Sequence, residues 1–309
     1  MNIAIIGRTE ALYTTANYLM KNGHCIKLIV TDKEALEYSK TAEDFRLFSR
    51  KIGAGYLCTS RINFKKHFIG RFGKIDIGIS INYTRAISQD IIDMFPLGIL
   101  NAHAGDLPRY RGNACPNWAI INGEKEIGLC IHKMVGKGID SGDIVAREYL
   151  KISIKTKIGY VYDWLIGKIP ILFLKSINKL RSNPVYFLEK QSSDSRRILR
   201  CYPRISEDSK IYWAKSNVEI VRLINASSKP FSGAYCFYGR RKIIIWDAEL
   251  CHDKERYCAV PGQVSFINGE NGSVVVITGK GKMRIKEIGC GNLRCLPEKI
   301  IKSIRIRLE

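Results

Sequence analysis

Asn101 and His103 stand two residues apart just after the apolar run 97–100. On an extended backbone that spacing sends both side chains to one face. Further on, the glycine-rich stretch GKGIDSGDI carries Asp140 and Asp143. If the fold brings these groups together, an amide, an imidazole and a carboxylate converge where strands end. That set suits acyl transfer to an amine. The histidine relays a proton, the carboxylate orients it, and the amide donates to a developing oxyanion. The competing reading is structural: Asn101 and His103 shape a turn, while Asp140 and Asp143 cap a loop.

The elements that would position these residues follow from periodicity. NIAIIG (2–7) reads as a buried strand entering a glycine turn, 9–22 as a helix with Thr9 at its N-cap, and CIKLIV (25–30) as a second strand. Strand, helix and strand in succession open a βαβ unit and imply a parallel sheet. The first turn, GRTEAL, has a single glycine and no G-x-G-x-x-G. It lacks the glycine that lets a pyrophosphate approach the backbone, which argues against a nicotinamide dinucleotide there.

A mixed-charge helix is predicted over 32–51, strands over 56–60 and 75–82, a short helix over 86–95, and then the strand that delivers Asn101 and His103. Both residues fall at the carboxyl end of a strand, where open α/β sheets bind ligands. Next come a helix at 113–122 and a strand at 128–135, on which His132 reads as a strand-face residue without a catalytic role. A strand at 143–152 follows, then a helical pattern at 158–180 interrupted near Gly167 and Pro170, either kinked or divided in two. Beyond a polar, basic linker the pattern changes to a helix at 216–226 and five short strands, which suggests a small β-barrel of the oligonucleotide/oligosaccharide-binding (OB) type. The expected architecture is α/β: a Rossmann-like open parallel sheet over 1–189, a linker over 190–204, and an OB-like β domain over 205–309.

With 309 residues, 46% hydrophobic and 26% charged, the chain can bury two real cores. Its net charge of +21 is uneven. Residues 1–150 hold 20 Lys/Arg and 15 Asp/Glu, a net +5, and residues 151–309 hold the other 30 and 14, a net +16. A basic second half implies an anionic partner, or else a lysine-rich usage that keeps the protein soluble. The ten cysteines form no C-x-x-C pair and no zinc-ribbon or disulfide framework. Unpaired thiols in so large a chain point to the cytoplasm. No targeting segment opens the sequence and no apolar run reaches membrane-spanning length, so no membrane insertion and no metal are expected.

The stretches NAHAGDLPRYRG and WAIINGEKEIGLCIHKMVGKGIDSGDIV resemble the signature of the folate-dependent formyltransferases. That family includes methionyl-tRNA formyltransferase, glycinamide ribonucleotide transformylase, 10-formyltetrahydrofolate dehydrogenase and the nucleotide-sugar N-formyltransferases. It carries an Asn-x-His at a strand end, a Leu-Pro turn, and an Asp in a later Gly-(Leu/Ile)-Asp-(Ser/Thr)-Gly-Asp loop. In the second half, YPRISEDSKIYWAKSNVEIVRLINA and PFSGAY are similar to the junction and barrel domain of its tRNA and sugar enzymes.

The resemblance implies that Asn101, His103 and Asp140 are catalytic and that N10-formyltetrahydrofolate supplies the carbon. It implies that Ile81, Asn82, Tyr83, Gly136, Gly138 and Ile139 line the folate pocket, with Asp143 either bonding the pteridine or capping the turn. Relatives read His-Pro-Ser-Leu-Leu-Pro where this chain reads HAGDLP. Gly105 and Asp106 thus alter the acceptor-side wall. Arg109, Tyr110 and Arg111 keep the family's Arg-Tyr-Arg-Gly, and either contact an anionic acceptor or pair within the fold.

Two acceptors compete. One is the amino group of a nucleotide-linked sugar destined for a polysaccharide or modified glycan, in an enzyme that by resemblance is often a homodimer. The other is methionyl-tRNA, favoured by the basic second half. The tRNA enzymes, by resemblance, carry a basic insertion with Gly and Pro after the second strand, whereas TDKEALEYSKTAEDFRLF has mixed charge and neither residue. The sugar is therefore preferred. A binding protein that merely kept the fold is opposed by the intact trio. A purine-pathway transformylase and a formyltetrahydrofolate hydrolase fit the basic second half poorly.

Overall fold

The structure, a computed structural model, describes residues 1–252, 255–291 and 293–309. The chain forms two compact units whose segments interleave. The first comprises Met1–Cys115, Ile127–Leu150 and Tyr162–Tyr202, and the second Pro116–Glu126, Lys151–Val161 and Pro203–Glu309. In chain order the elements are β1 (Asn2–Gly7), α1 (Glu10–Lys21), β2 (Cys25–Thr31), α2 (Ala42–Ile52), β3 (Gly55–Cys58), α3 (Lys66–Gly70), β4 (Ile77–Ile81), α4 (Gln89–Ile92), β5 (Ile99–His103), β6 (Arg111–Gly112), α5 (Cys115–Asn122), β7 (Glu126–Lys133), β8 (Ile144–Lys151), α6 (Ile158–Ser182) and β9 (Arg200–Cys201).

The seven-stranded sheet runs β3-β2-β1-β4-β5-β7-β8. Pairs from β3 to β5 are parallel, as the βαβ start predicts, but β7 lies antiparallel to β5. The sheet is therefore mixed rather than parallel throughout. An apolar run specifies a strand without its direction, so the reversal is invisible to periodicity. The central strands are buried on both faces: Ile3, Ile5, Ile6, Leu28, Ile29, Ile77 and Ile79 are fully inaccessible. Each such side chain contributes about 1.5–3 kcal/mol of transfer free energy.

Helix ends differ from the sequence reading where capping decides them. α2 starts at Ala42 instead of continuing from 32, because Thr41 and Asp44 close a reciprocal capping box and Gly53 ends the helix at φ 68°. Thr9 precedes α1 at φ 90°, with no side-chain cap. α6 is one continuous helix that contains Pro170.

In the second unit α7 (Asn217–Ser227), capped by Ser216 and Glu219, precedes β10 (Ala234–Tyr238), β11 (Arg241–Cys251), β12 (Val264–Ile267), β13 (Val274–Ile277), β14 (Lys282–Cys290) and β15 (Leu293–Cys295). Ile220, Val221 and Ile224 of α7 pack with Ile243, Ile245, Met283, Ile285 and Ile288. The antiparallel sheet runs β10-β11-β14-β13-β12, with β15 on β14. Among the described residues no ladder joins β12 to β10, so strand pairing leaves the expected barrel open. The C-terminal segment bonds to both edges instead. Leu308 N–H donates to the Gly262 carbonyl (2.8 Å), Val264 N–H to Ile306 (3.1 Å), and Glu309 N–H to Phe237 (2.8 Å).

Gly7 closes β1 at φ 132°, where an added Cβ would lie 1.9 Å from the Ile81 carbonyl oxygen. Gly7→Ala is expected to destabilise by well over about 1 kcal/mol. Gly269→Ala, in open space, should stay within about 0.5 kcal/mol of the parent. Urea unfolding of both variants checks the contrast.

Candidate active site

β5 delivers its polar residues as the two-residue spacing requires: Ala102 faces away and Asn101 and His103 share a face. The antiparallel register then sets Asn101 directly opposite His132 and His103 opposite Cys130. Directly opposed side chains on one sheet face are near neighbours. Asn101 Nδ2 lies 3.2 Å from His132 Nε2. His132 therefore belongs to the site, contrary to its reading as a plain strand-face residue. The missed signal is register, which no local pattern carries.

Asp140 sits in the loop after β7 at φ 49°. Its Oδ2 accepts from the Gly112 amide at 2.9 Å and lies 3.4 Å from His103 Nδ1, while Oδ1 lies 3.5 Å from His132 Nε2. Gln191 Nε2 secures the loop by donating to the carbonyls of Asp140 (2.8 Å) and Gly142 (2.6 Å). Asp140 is 14% exposed and His103 9% by side chain, so the group is shielded from solvent without being sealed.

Proton positions follow from the partners. His132 Nδ1 faces the Lys133 carbonyl at 3.0 Å, and a carbonyl only accepts. In a neutral ring Nδ1 therefore carries the proton and Nε2 accepts from Asn101; in a protonated ring Nε2–H faces Asp140 Oδ1. His103 Nε2 lies 2.6 Å from the Tyr110 carbonyl, so Nε2–H donates and Nδ1 presents its lone pair towards Asp140. Burial is the largest influence on His103 and pushes the imidazole below its ordinary value; Asp140 and the Tyr110 carbonyl oppose this without reversing it. Burial alone would raise the Asp140 carboxyl, but His103, His132 and the Gly112 amide together hold it well below the usual carboxylate range. The resting site is thus a carboxylate beside a neutral His103.

The turn after β5 is crowded around one oxygen. The Tyr110 carbonyl accepts from His103 and, at 2.9 Å, from the Cys115 thiol. The hydrogen bond between Cys115 and Cys201, with burial, pushes the Cys115 thiol up, so it stays a donor. A Cβ on Gly105 would come 2.3 Å from that oxygen and 2.5 Å from His103 Nε2. Gly105 is therefore the residue that permits this histidine position.

The other expected site residues are placed as follows. Asp106 bonds Arg147 Nη1 (3.1 Å) and the Tyr149 hydroxyl (2.8 Å). Arg109 is exposed, its guanidinium 5.3 Å from the centre of the Tyr110 ring, and Tyr110 itself is buried. Arg111 donates to Gln191 Oε1 at 2.7 Å. Ile81 is buried at the end of β4. Asn82, at φ 54°, donates to the Tyr38 hydroxyl. The Tyr83 hydroxyl donates to the Thr59 carbonyl at 2.7 Å, and burial pushes it up to about 12. Gly136 N–H donates to Gln89 Oε1 (2.9 Å), Gly138 turns at φ 87°, and Ile139 is half exposed. Asp143 is partly buried, and its carbonyl accepts from Lys133 N–H at 2.9 Å. Among the described residues no three His, Cys, Asp or Glu side chains are arranged to hold a metal, and no helix is long and apolar enough to cross a membrane.

An α/β unit with an amide, two imidazoles and a buried carboxylate at a strand end has the groups that acid–base group transfer uses. Residues 1–167 match the family model for formyl transferase and residues 205–301 that for the formyl transferase C-terminal domain, so the chain belongs to the formyl transferase family. Among solved structures it is similar to the N-formyltransferase from Helicobacter canadensis in complex with folinic acid and dTDP-3-aminofucose, with TM-score 0.66 and 19% identity over 92% of this chain and 98% of that one. It is also similar to HypX from Aquifex aeolicus in complex with tetrahydrofolic acid, at 0.62 and 14% over 98% and 47%. Methionyl-tRNA formyltransferase from Clostridium thermocellum follows at 0.56 and 17% over 81% and 94%. At these identities the likeness is one of fold. The chain spans about half the length of HypX.

Because the Asp140 charge raises His103, Asp140→Asn should make that imidazole titrate lower still than in the parent. A histidine NMR titration reads this directly, and an upward shift would contradict the arrangement.

Proposed function

We propose that this protein transfers a formyl group from N10-formyltetrahydrofolate to the amino group of a nucleotide-linked amino sugar. The observation that carries the reading is the Asp140 carboxylate 3.4 Å from His103 Nδ1, with Asn101 on the same strand face and 3.2 Å from His132 Nε2. The donor fits the surface beside the trio. Val135 and Ile139 expose apolar side chains on the loop that carries Asp140, suited to a flat, largely apolar ring system. The family model and the folate-bound relatives support the donor.

When bound, the folate supplies the electrophilic formyl carbon; the other parts come from the chain. Ile81, Asn82, Tyr83, Gly136, Gly138, Ile139 and Asp143 would hold the donor. The Asn101 amide has two N–H groups, and with one on His132 the second is available to the negative charge that develops on the formyl oxygen. His103 takes the amine proton. In the resting geometry the vacant nitrogen is Nδ1, so the proton arrives on the Asp140 side, where the carboxylate stabilises the imidazolium. Tyr110 keeps Nε2–H engaged and the ring in place.

The sugar acceptor is supported by the mixed-charge segment 31–48, which lacks the basic Gly- and Pro-containing insertion expected of tRNA enzymes, and by the dTDP-3-aminofucose complex of the Helicobacter canadensis relative. The net +16 of residues 151–309 is the observation that favours methionyl-tRNA as the second reading.

With N10-formyltetrahydrofolate and a dTDP-linked amino sugar, Asn101→Ala, His103→Ala and Asp140→Ala should each lower kcat by about 10²-fold or more while folding normally. Near-normal turnover by His103→Ala would sink the mechanism, and formylation of methionyl-tRNA alone would replace the sugar as acceptor. Because His103 must be neutral to accept a proton and burial holds its pKa down, kcat/KM should stay level as pH falls to about 6.5 and decline only below it. A pH–rate profile checks the position of that limb.

A further inference from the structure

β9 pairs with β6 in parallel, Arg111 opposite Arg200 and Gly112 opposite Cys201. Two guanidinium side chains therefore start from neighbouring positions on one short ladder, an arrangement that repels itself unless an anion lies close. Arg111 spends its donors on neutral acceptors, Gln191 Oε1 and, at 3.4 Å, the Ser192 carbonyl, and its buried Nε has no partner. Arg200 is half-buried and, among the described residues, its side chain forms no ion pair and no hydrogen bond; its guanidinium lies 5.8 Å from the centre of the Tyr202 ring. Tyr202 is 68% exposed. An Arg that gives up hydration without gaining a carboxylate is unfavourable as it stands. Such a group marks a place where the anion comes from outside.

Its position relates that anion to the site. A Cβ on Gly112 would meet Arg200 Nη1 at 2.9 Å and Cζ at 3.0 Å, so the guanidinium lies over the residue whose amide holds Asp140. It is close enough to His103, Cys115 and Cys201 for its charge to act on all three. Asp140 is already occupied by the Gly112 amide and the two imidazoles.

We propose that Arg200, with Arg111 beside it, anchors a phosphate of the acceptor's nucleoside diphosphate next to the formyl-transfer centre. Guanidinium groups bind phosphate through paired N–H donors, and the exposed Tyr202 ring offers an aromatic face beside the same anion. The proposal rests on the nucleotide-linked acceptor reading and names the residues that would recognise its charge. The sequence reading left Arg109, Tyr110 and Arg111 either contacting an anionic acceptor or pairing within the fold. Arg200 escaped it because the β6–β9 pairing joins segments far apart in the chain.

The test measures binding of two probes, inorganic pyrophosphate and thymidine diphosphate, to the full-length protein by calorimetry. Arg200→Gln should weaken both at least tenfold, Arg200→Lys should recover part of the loss, and the exposed Arg197→Gln should match the parent. With a dTDP-linked amino sugar, Arg200→Gln should raise KM at least tenfold and change kcat less than threefold. The Tm should hold or rise, because an uncompensated charge has been removed; a merely structural arginine would lower it. Unchanged probe affinity in Arg200→Gln, or a fall in kcat with constant KM, overturns the anchor. The two readings fail separately: lost probe binding without any sugar turnover in the parent would discard the sugar and keep the anchor. Weakened methionyl-tRNA binding with unaltered thymidine diphosphate binding would assign the arginine to tRNA and overturn the proposal.

Discussion

The site depends on a single buried carboxylate kept ionised. Asp140 loses most of its water, and desolvation of that kind normally drives a carboxyl towards its neutral form. The Gly112 backbone N–H donates to the carboxylate directly, and the two imidazoles beside its oxygens favour the ionised form when the nitrogens that face it carry protons. Each comes from a different strand of the first unit. The β6–β9 ladder sets Gly112, β5 sets His103, and β7 sets His132. Loss of any one would leave the charge undercompensated, which is why short elements with little core of their own matter here. Gln191 completes the arrangement by fixing the backbone of the loop that presents the carboxylate.

What was legible in the sequence is what local pattern encodes. Asn-x-His at the end of an apolar strand is a period-two statement, and the structure places both side chains on one face as that period demands. The first five strands of the large sheet, α7 and the strand-rich second unit follow from periodicity for the same reason. Asp140 was a candidate from its loop, but its distance to His103 is a tertiary fact. His132 and Arg200 were missed because cross-strand register created their significance. The direction of β7 was missed because apolar runs look alike either way. α2 began late because Thr41–Asp44 caps it, and that S/T-x-x-D/E signal was outweighed by a longer helical pattern around it.

The turn between β5 and β6 shows how a local departure from a family pattern is absorbed. Gly105 has no side chain, and the volume a Cβ would fill there is taken up by the His103 ring and the Tyr110 carbonyl. Tyr110, at φ 54°, is held in the left-handed region that non-glycine residues seldom adopt. Its carbonyl is thereby turned to receive both His103 and Cys115. Local strain here serves orientation, because it sets which nitrogen of His103 keeps its proton.

Asp106 is the other half of that departure, and its carboxylate has a partner within the fold. Arg147 bonds Asp106, the Leu107 carbonyl (2.7 Å) and Glu189 (3.0 Å), with Tyr149 closing the group on Asp106. Arg147 is 15% exposed by side chain and carries two acids, so its charge is fully matched within the fold, as that of a partly buried cation must be. Arg111 and Arg200 lie in the same unit without such acids. The fold thus matches Arg147 with carboxylates and leaves Arg111 and Arg200, on the ladder beside the loop that carries Asp140, without an ion pair among the described residues.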